Sequence, residues 1–472
     1  MASLTGPLPT TPGDTARLYH RLSSYAYIPG ELEATPADHP MIRQDFVRNH
    51  LPTFPAPFKA YPPGLPRLAL PRTWPSPRAA ATSVLAGQLG PSADRLDLAQ
   101  IARLLYLSAA VVRFVERGDG RRFFFRTSRS AGGLFPLELY VAANGVSGLT
   151  DGVHWYDPLR HSLVQIGPPP HGDASAIIVT GIPWRTGWRY AERGFRHLYW
   201  DAGTTLAHTL ALADAVGLGA RLWTRFPDEQ VARLVGADGV QEFPLAVVTL
   251  GDGQPTLRPG GDATRGSVAE SPVEFPLVTL AQRAGDADAF RQPWPPAPPW
   301  PGEPPWSADL DTVIVRHRST RVMDPAAVLA RETFERCVAL GARGTPLPTF
   351  VAVHAIEGVE PGLYRWPDLD RPIRAGILRD ELFRVCWDQE LGRDAAFVVT
   401  SAVDLDALDD GGYRDAQIQA GLVDGRLHLA AYALGIGASG MTFLDSEIEG
   451  LLGEPLAGLL LTCVGEGQRV RG

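Results

Sequence analysis

The chain has 472 residues, 45% of them hydrophobic and 20% charged, and a formal net charge of −8. That is length for two or three domains of ordinary globular composition, and the negative balance argues against a nucleic-acid binder. No apolar h-region opens the chain and no 18-residue apolar run occurs, so neither a secretory signal nor a membrane span is expected, and a cytoplasmic location is.

Three cysteines, Cys337, Cys386 and Cys463, share no metal-ligand or redox spacing, which predicts a reducing compartment, no disulfide framework and no metal site. Lys59 is the only lysine, so the basic residues are almost all arginine.

In chain order, residues 1–90 are Pro-rich and read as an extended arm wrapped on the first domain, with one helical stretch at Ala16–Tyr25. A first domain is expected over 91–265, a linker over 266–307 and a second domain over 308–472. The linker core, Pro293–Trp306, has eight prolines in its first thirteen residues, which forces extended polyproline geometry. Its tryptophans are expected to pack on the protein itself.

Each domain reads as α+β. Helical spacing covers Leu98–Val115 and Ala327–Leu340. Strands are predicted at Leu137–Ala143, Phe350–Ile356, Leu245–Leu250 and Leu456–Val464. Asp201–Val216 and Gln419–Leu434 are apolar on most faces, which predicts two buried helices at an interface between the domains.

The two domains repeat one another. Asp201–Leu222 aligns with Gln419–Gly440 at an offset of 218, with Ala-Gly opening both and Gly-x-Gly-Ala closing both. At the same offset Gly194-Phe195-Arg196 matches Gly412-Tyr413-Arg414, and after one deletion Phe226-x-Asp228 matches Phe443-x-Asp445. Matched blocks in one order at near-constant offset predict a fused pseudo-dimer.

Four motifs bear on chemistry. Gly435-Ile-Gly437-Ala-Ser-Gly440 has the letters of a dinucleotide fingerprint, but its glycines end a helix instead of opening one. A helix cap, alone or with a close approach to a flat ligand, accounts for it. Arg316-His317-Arg318-Ser319-Thr320-Arg321 packs guanidinium forks and hydroxyls just ahead of the helix expected from Pro325, which suits a phosphate monoester or a solvated basic turn. Arg469 and Arg471 would serve the same anion or belong to a frayed tail. Arg126–Pro136 is a small-residue loop that can expose backbone amides, and Trp188–His197 concentrates Tyr, Glu, Arg and His ahead of the interface helix.

Those residues resemble the FMN-dependent nitroreductase fold. The first domain is similar to its SagB/ThcOx/McbC branch, the azoline dehydrogenases of thiazole and oxazole peptide pathways. The likeness rests on Ser128–Pro136 with its following strand, on Gly148–Pro158 and on Trp188–Gly219, and in the second domain on an RRSxR-type motif at His317–Arg321. It implies two tandem nitroreductase-like domains forming an intramolecular pseudo-dimer, with FMN bound between them.

The resemblance assigns Arg316, Arg318, Ser319, Arg321, Gly437, Ala438, Arg469 and Arg471 to the flavin from the second domain. Ser128, Ser130, Ala131 and Gly132 come from the first. The first domain has lost the arginine motif (Arg78–Ser83) and the second the small-residue loop (Gly341–Pro348), so one FMN per chain is expected. The family's Lys-Tyr pair falls on Arg189-Tyr190. Arginine cannot be a base, so Tyr190 is expected to take the substrate proton with Arg189 lowering its pKa, and Glu192 and His197 stand in reserve.

The implied reaction is oxidation of thiazoline or oxazoline rings on a peptide or carrier-bound substrate, downstream of a cyclodehydratase partner. A generic NAD(P)H-dependent nitro or quinone reductase and a flavin-free scaffold are the alternatives.

Overall fold

The apolar runs of the chain fold into antiparallel sheets, seen in a computed structural model that describes residues 11–28, 31–34, 39, 41–43, 45–89, 96–118, 120–251 and 253–468. Among the described residues the N-terminal half carries a seven-stranded sheet. Its order is Arg221–Trp223, Phe243–Leu250, Ser175–Gly181, Leu137–Ala143, Gly152–Asp157, Ser162–Gly167 and Arg67–Ala69. The C-terminal half carries six strands, ordered Arg374–Ala375, Gly362–Arg365, Thr349–Val353, Phe397–Val403, Ala457–Gly465 and Gly437–Met441. The central strands are buried along their whole length, which is why they read as unbroken apolar runs rather than alternating ones.

Between the sheets lie the two long helices, Gly194–Asp214 and Asp410–Ala433, buried over most of their lengths and packed on each other. Their crossing is set by glycine. A β-carbon on Gly203 would stand 2.6 Å from Gly421 Cα, and one on Gly421 would stand 3.0 Å from Gly203 Cα. These are the glycines of the two Ala-Gly pairs that open the sequence repeat, so the repeat's first block marks the point of closest backbone approach.

The other blocks meet across the same interface. Arg196 donates to Asp445 Oδ1 at 2.6 Å, and Arg414 donates to Asp228 Oδ1 at 2.9 Å. Arg196 corresponds to Arg414 in the repeat and Asp228 to Asp445, so each half gives the other the same pair of partners. Reciprocal contacts of this kind are the mark of a two-fold interface. The side chains of each pair are at most 8% exposed, the condition under which loss of one partner is costly.

Several elements differ from expectation. The helix expected over 98–115 stops at Ala109, and Val111–Glu116 is a strand paired with Arg122–Arg126. The β-branched run Val111-Val112 continues the helical spacing but favours a strand. The helix expected from Ala327 begins at Arg331, so the arginine motif precedes an irregular segment rather than a helix start. The stretch expected as linker contains the helix Pro276–Ala284, whose Gln282 accepts from the Tyr199 hydroxyl at 2.7 Å.

The N-terminal arm is not confined to the first half. The backbone amides of Gly13 and Ala16 donate to Asp410, and Tyr25 N donates to Asp445. Trp294 and Trp300 of the linker pack on the protein, but Trp306 is 89% exposed. No helix among the described residues is long and apolar enough to cross a membrane.

Candidate functional site

A cleft of about 670 Å³ opens between the halves and takes its walls from both. One wall is the loop Arg129–Gly133 with Arg189, Tyr190, His197, Trp200, Asp201 and Thr204. The facing wall is Ser319 and Arg321, the edge strand at Ser439–Met441, and Trp387, Gln389 and Leu391.

The loop is shaped by local backbone demands. Strand Arg122–Arg126 delivers it, and Ala131–Gly133 makes one tight turn in which Gly132 has φ +62°. A β-carbon on Gly132 would stand 2.6 Å from an Arg189 guanidinium nitrogen and 2.9 Å from the Tyr190 hydroxyl. Glycine is therefore required there both by conformation and by close approach. Arg189 donates to the Gly132 carbonyl at 3.2 Å and to Asn49 Oδ1 at 3.3 Å.

Asp201 holds the loop from the interface helix. It accepts from the Ser130 hydroxyl at 2.5 Å and from Ala131 N at 3.0 Å, and it is 5% exposed. On the opposite wall the helix Asp410–Ala433 ends with Gly435 at φ +79°, which settles the glycine run as a helix cap followed by an edge strand. Thr320 N donates to the Ala438 carbonyl at 3.0 Å, and a β-carbon on Gly437 would overlap the Thr320 hydroxyl. The arginine motif is thereby pinned to the edge strand.

Among the titratable groups that line the cleft, Asp201, Tyr190, His197 and Asp424 are shifted in different directions. Asp201 is pushed up to about 7 by burial, against the hydrogen bonds from Ser130 and Ala131. Burial raises the Tyr190 phenol far above its ordinary range, and Arg189 lowers it by less. Burial, with Arg193 and Arg196 nearby, drops His197 well below its usual value, so its imidazole is neutral and neither ring nitrogen has a hydrogen-bond partner. Burial also opposes the Asp424 charge, but His428, Arg129 and Thr462 outweigh it and hold the carboxyl well below the carboxylate range. Arg129 bridges the walls, 3.4 Å from both Asp424 Oδ2 and the Ser319 hydroxyl.

The cleft therefore brings together Ser130, Ala131, Gly132, Arg189, Tyr190, His197, Ser319 and Arg321 of the residues singled out in the sequence. Ser128 lies behind the loop, accepting from the Thr205 hydroxyl at 3.2 Å. Gly437 and Ala438 touch Thr320 rather than the cleft. Arg316 and Arg318 are exposed beside the lining, while His317 turns inward against His208. Glu192 is displaced from the reserve role: its carboxylate accepts from Arg43 N under the N-terminal arm, at 2.9 Å. Tyr190 lines the cleft half-buried, and its hydroxyl lies where burial raises its pKa and Arg189 lowers it by less. Arg469 and Arg471 lie outside the described residues.

The sequence reading missed Asp201, Arg129, Asp424 and the Trp387 segment. Asp201 and Asp424 each had a visible signal, because the repeat places Gln419 opposite Asp201 and Leu206 opposite Asp424.

At positions that the sequence repeat sets opposite the cleft, the linker covers the edge strand. Leu222, which matches Gly440, accepts from Trp294 N of the linker at 2.6 Å. Arg343, from the segment replacing the small-residue loop, donates to the carbonyls of Ala297 and Pro298, both at 3.0 Å. A larger open groove of about 1520 Å³ shares no residue with the cleft but takes in Asp415, which the repeat sets opposite His197, and is lined by ion-paired groups such as Arg225 with Asp409 and Asp415.

No protein-family profile matches the chain. A crystal structure described as a "putative nitroreductase" from Anabaena variabilis superposes on 96% of this chain and 99% of its own, with a TM-score of 0.72 at 24% identity. The chain has a nitroreductase-like fold. Over 171 residues it is 29% identical to "Putative nitroreductase MJ1384" of Methanocaldococcus jannaschii, spanning 33% of this chain and 81% of that protein. The E. coli microcin synthetase McbBCD complex with a truncated pro-microcin bound matches over 52% of this chain at a TM-score of 0.29 and 19% identity, a likeness too slight to argue from.

Proposed function

We propose that the chain is a fused dimer with one working flavin site, an FMN-dependent dehydrogenase that oxidises thiazoline or oxazoline rings to the aromatic azoles. The observation that carries this reading is the composition of the cleft, in which Ser130–Gly132 and Tyr190 from one half face Ser319 and Arg321 from the other.

The residues fit the cofactor. The volume lies within the range of small-molecule pockets. Arg316, Arg318 and Arg321 have no carboxylate within 4 Å among the described residues, so they are available to a phosphate beside the Ser319 hydroxyl. At Gly132 and Gly440 the backbone can approach a flat ring, because a β-carbon at either would crowd its neighbours. The unpartnered His197 nitrogens offer hydrogen bonds that nothing in the chain uses. Bound there, FMN supplies a two-electron acceptor for the hydride equivalent leaving the ring.

The chain's own task is the proton released from the neighbouring ring carbon. A base is most effective when its pKa lies near the working pH, which favours Asp201 over the protonated Tyr190 phenol and the low-pKa His197. Asp201 accepts the proton, and Tyr190 donates a hydrogen bond to the substrate. Arg189 fixes the Gly132 turn against Tyr190. The substrate class requires a reaction that closes Cys, Ser or Thr side chains onto the backbone with loss of water, so a cyclodehydratase is the implied partner.

The test is anaerobic mixing of the purified flavoprotein with a synthetic thiazoline-containing peptide. Bleaching of the flavin together with loss of two hydrogens from the peptide supports the reading. Rapid NADPH oxidation without azoline turnover would move it to a generic nitro or quinone reductase.

A further inference from the structure

The cleft leaves unexplained the strand pair that feeds its loop. Val111–Glu116 and Arg122–Arg126 form a two-stranded antiparallel sheet that joins no other sheet among the described residues. An isolated pair of this kind is marginal on its own, and its two outer edges are templates for a further strand. Natural edges are blunted by shortness or bulges, and exposed apolar groups there normally mark a binding surface. Here Phe114 is 50% exposed and Val115 47%, with Val112 at 40%.

The side chains sort by face. Phe114 lies opposite Phe124 on one face, and Phe124 continues to Phe58 with ring centroids 4.8 Å apart. The alternate face carries Arg113 over Phe125, 4.0 Å from its centroid, and Arg117 over Phe123 at 4.4 Å. Neither Arg113 nor Arg117 has a carboxylate partner among the described residues, whereas Arg122 is paired with Glu116 at 2.9 Å. The hairpin holds five arginines and two acids in a chain of net charge −8.

We propose that this hairpin is a docking edge for an acidic peptide segment, added in extended conformation as a third strand. Strand residues alternate between faces, so such a peptide would set apolar side chains beside Phe114 and Phe124 and carboxylates beside Arg113 and Arg117. Charge selects this occupant over a second copy of the chain, since two such hairpins would oppose arginine to arginine. Two residues beyond Arg126 the chain enters the loop Ser128–Gly132, so the docked segment runs beside the cleft. That last step rests on the proposed peptide substrate; the docking edge does not.

The experiment is fluorescence anisotropy of labelled twelve-residue peptides with the full-length protein. The probe alternates glutamate with valine and phenylalanine, and the control has lysine for glutamate. The acidic peptide is expected to bind saturably and more weakly as salt rises. The double variant R113E/R117E should weaken it by about tenfold or more at unchanged thermal midpoint and flavin content. Phe114→Ser should weaken it without altering the salt dependence.

Equal binding of both peptides, or unaltered affinity in R113E/R117E, would overturn the proposal. So would a hairpin-dependent dimer in sedimentation, or hairpin-dependent adsorption to phosphatidylserine vesicles. Binding is read without turnover, so protein that holds the peptide but no flavin would overturn only the redox reading. A flavoprotein that ignores the peptide would overturn only the docking edge.

Discussion

In the proposed reaction Asp201 is the base, and it acts in two ways that pH separates. As a base it must be ionised, so the wild-type kcat/KM for azoline oxidation should rise through pH 7. Asp201→Asn should remove that rise and lower kcat by about a hundredfold or more. As a buried acid its folded pKa lies above the ordinary carboxylate value, so the folded state binds more protons than the unfolded one between about 4 and about 7. Its contribution to stability is full below that window and is lost as pH rises through it. The Asn variant should therefore gain stability on the wild type between pH 5 and pH 8, by at most roughly 3 kcal/mol, read from urea unfolding at the two pH values. Tyr190→Phe should keep the pH profile and flavin content while raising KM, since the phenol serves as donor; loss of the rise through pH 7 in this variant would return the base role to Tyr190. Tyr190 was singled out because the family's Lys-Tyr pair falls on Arg189-Tyr190 and arginine cannot be the base. Asp201 served only to align the repeat, although the contrast of Asp201 with Gln419 marked a position at which the halves had diverged in charge. The direction of the Tyr190 shift was not legible, because it depends on burial that no spacing reveals.

At the scale of elements, the long helices were legible because a helix apolar on most faces must be buried wherever it lies, but they begin at Gly194 and Asp410, ahead of the expected Asp201 and Gln419. What spacing could not supply was the distance at which they cross. Gly203 and Gly421 meet backbone to backbone, so Gly421→Leu should force the helices apart at a cost of about 3 kcal/mol or more, measured by chemical denaturation. The conservative Gly421→Ala should cost less but still register, because even a β-carbon would stand 3.0 Å from Gly203 Cα. The hairpin at Val111–Arg126 was read as the end of a helix because its first valines keep the helical spacing, whereas the pairing of Arg113–Val115 with Phe123–Phe125 across the turn decides the outcome. Turn pairing is a property of two segments, and a periodicity taken along one segment does not contain it. The arginine motif was misplaced in the same way: Ser319 and Arg321 reach the cleft, but Thr320 bonded to Ala438 positions them, not a helix N-terminus.

For the whole molecule, the repeat and the uneven survival of its motifs were visible in the sequence, while the linker's cover over the edge strand Arg221–Trp223 was not. The linker's proline content announced an extended segment, and only the fold places Trp294 on the edge strand that corresponds to the cleft wall. The reciprocal pairs Arg196–Asp445 and Arg414–Asp228 bind the halves together, so Arg196→Ala should leave Asp445 buried with one arginine fewer and cost about 3–5 kcal/mol in a single cooperative transition. Separate melting of the two halves in that variant would show that the pairs do not couple them. The central claim, one working site in a fused pair, is tested most directly by releasing and quantifying flavin from the purified full-length protein. One FMN per chain, abolished by Arg321→Glu together with Ser319→Ala, is the predicted result. Two per chain, or none after incubation with excess FMN, would contradict it.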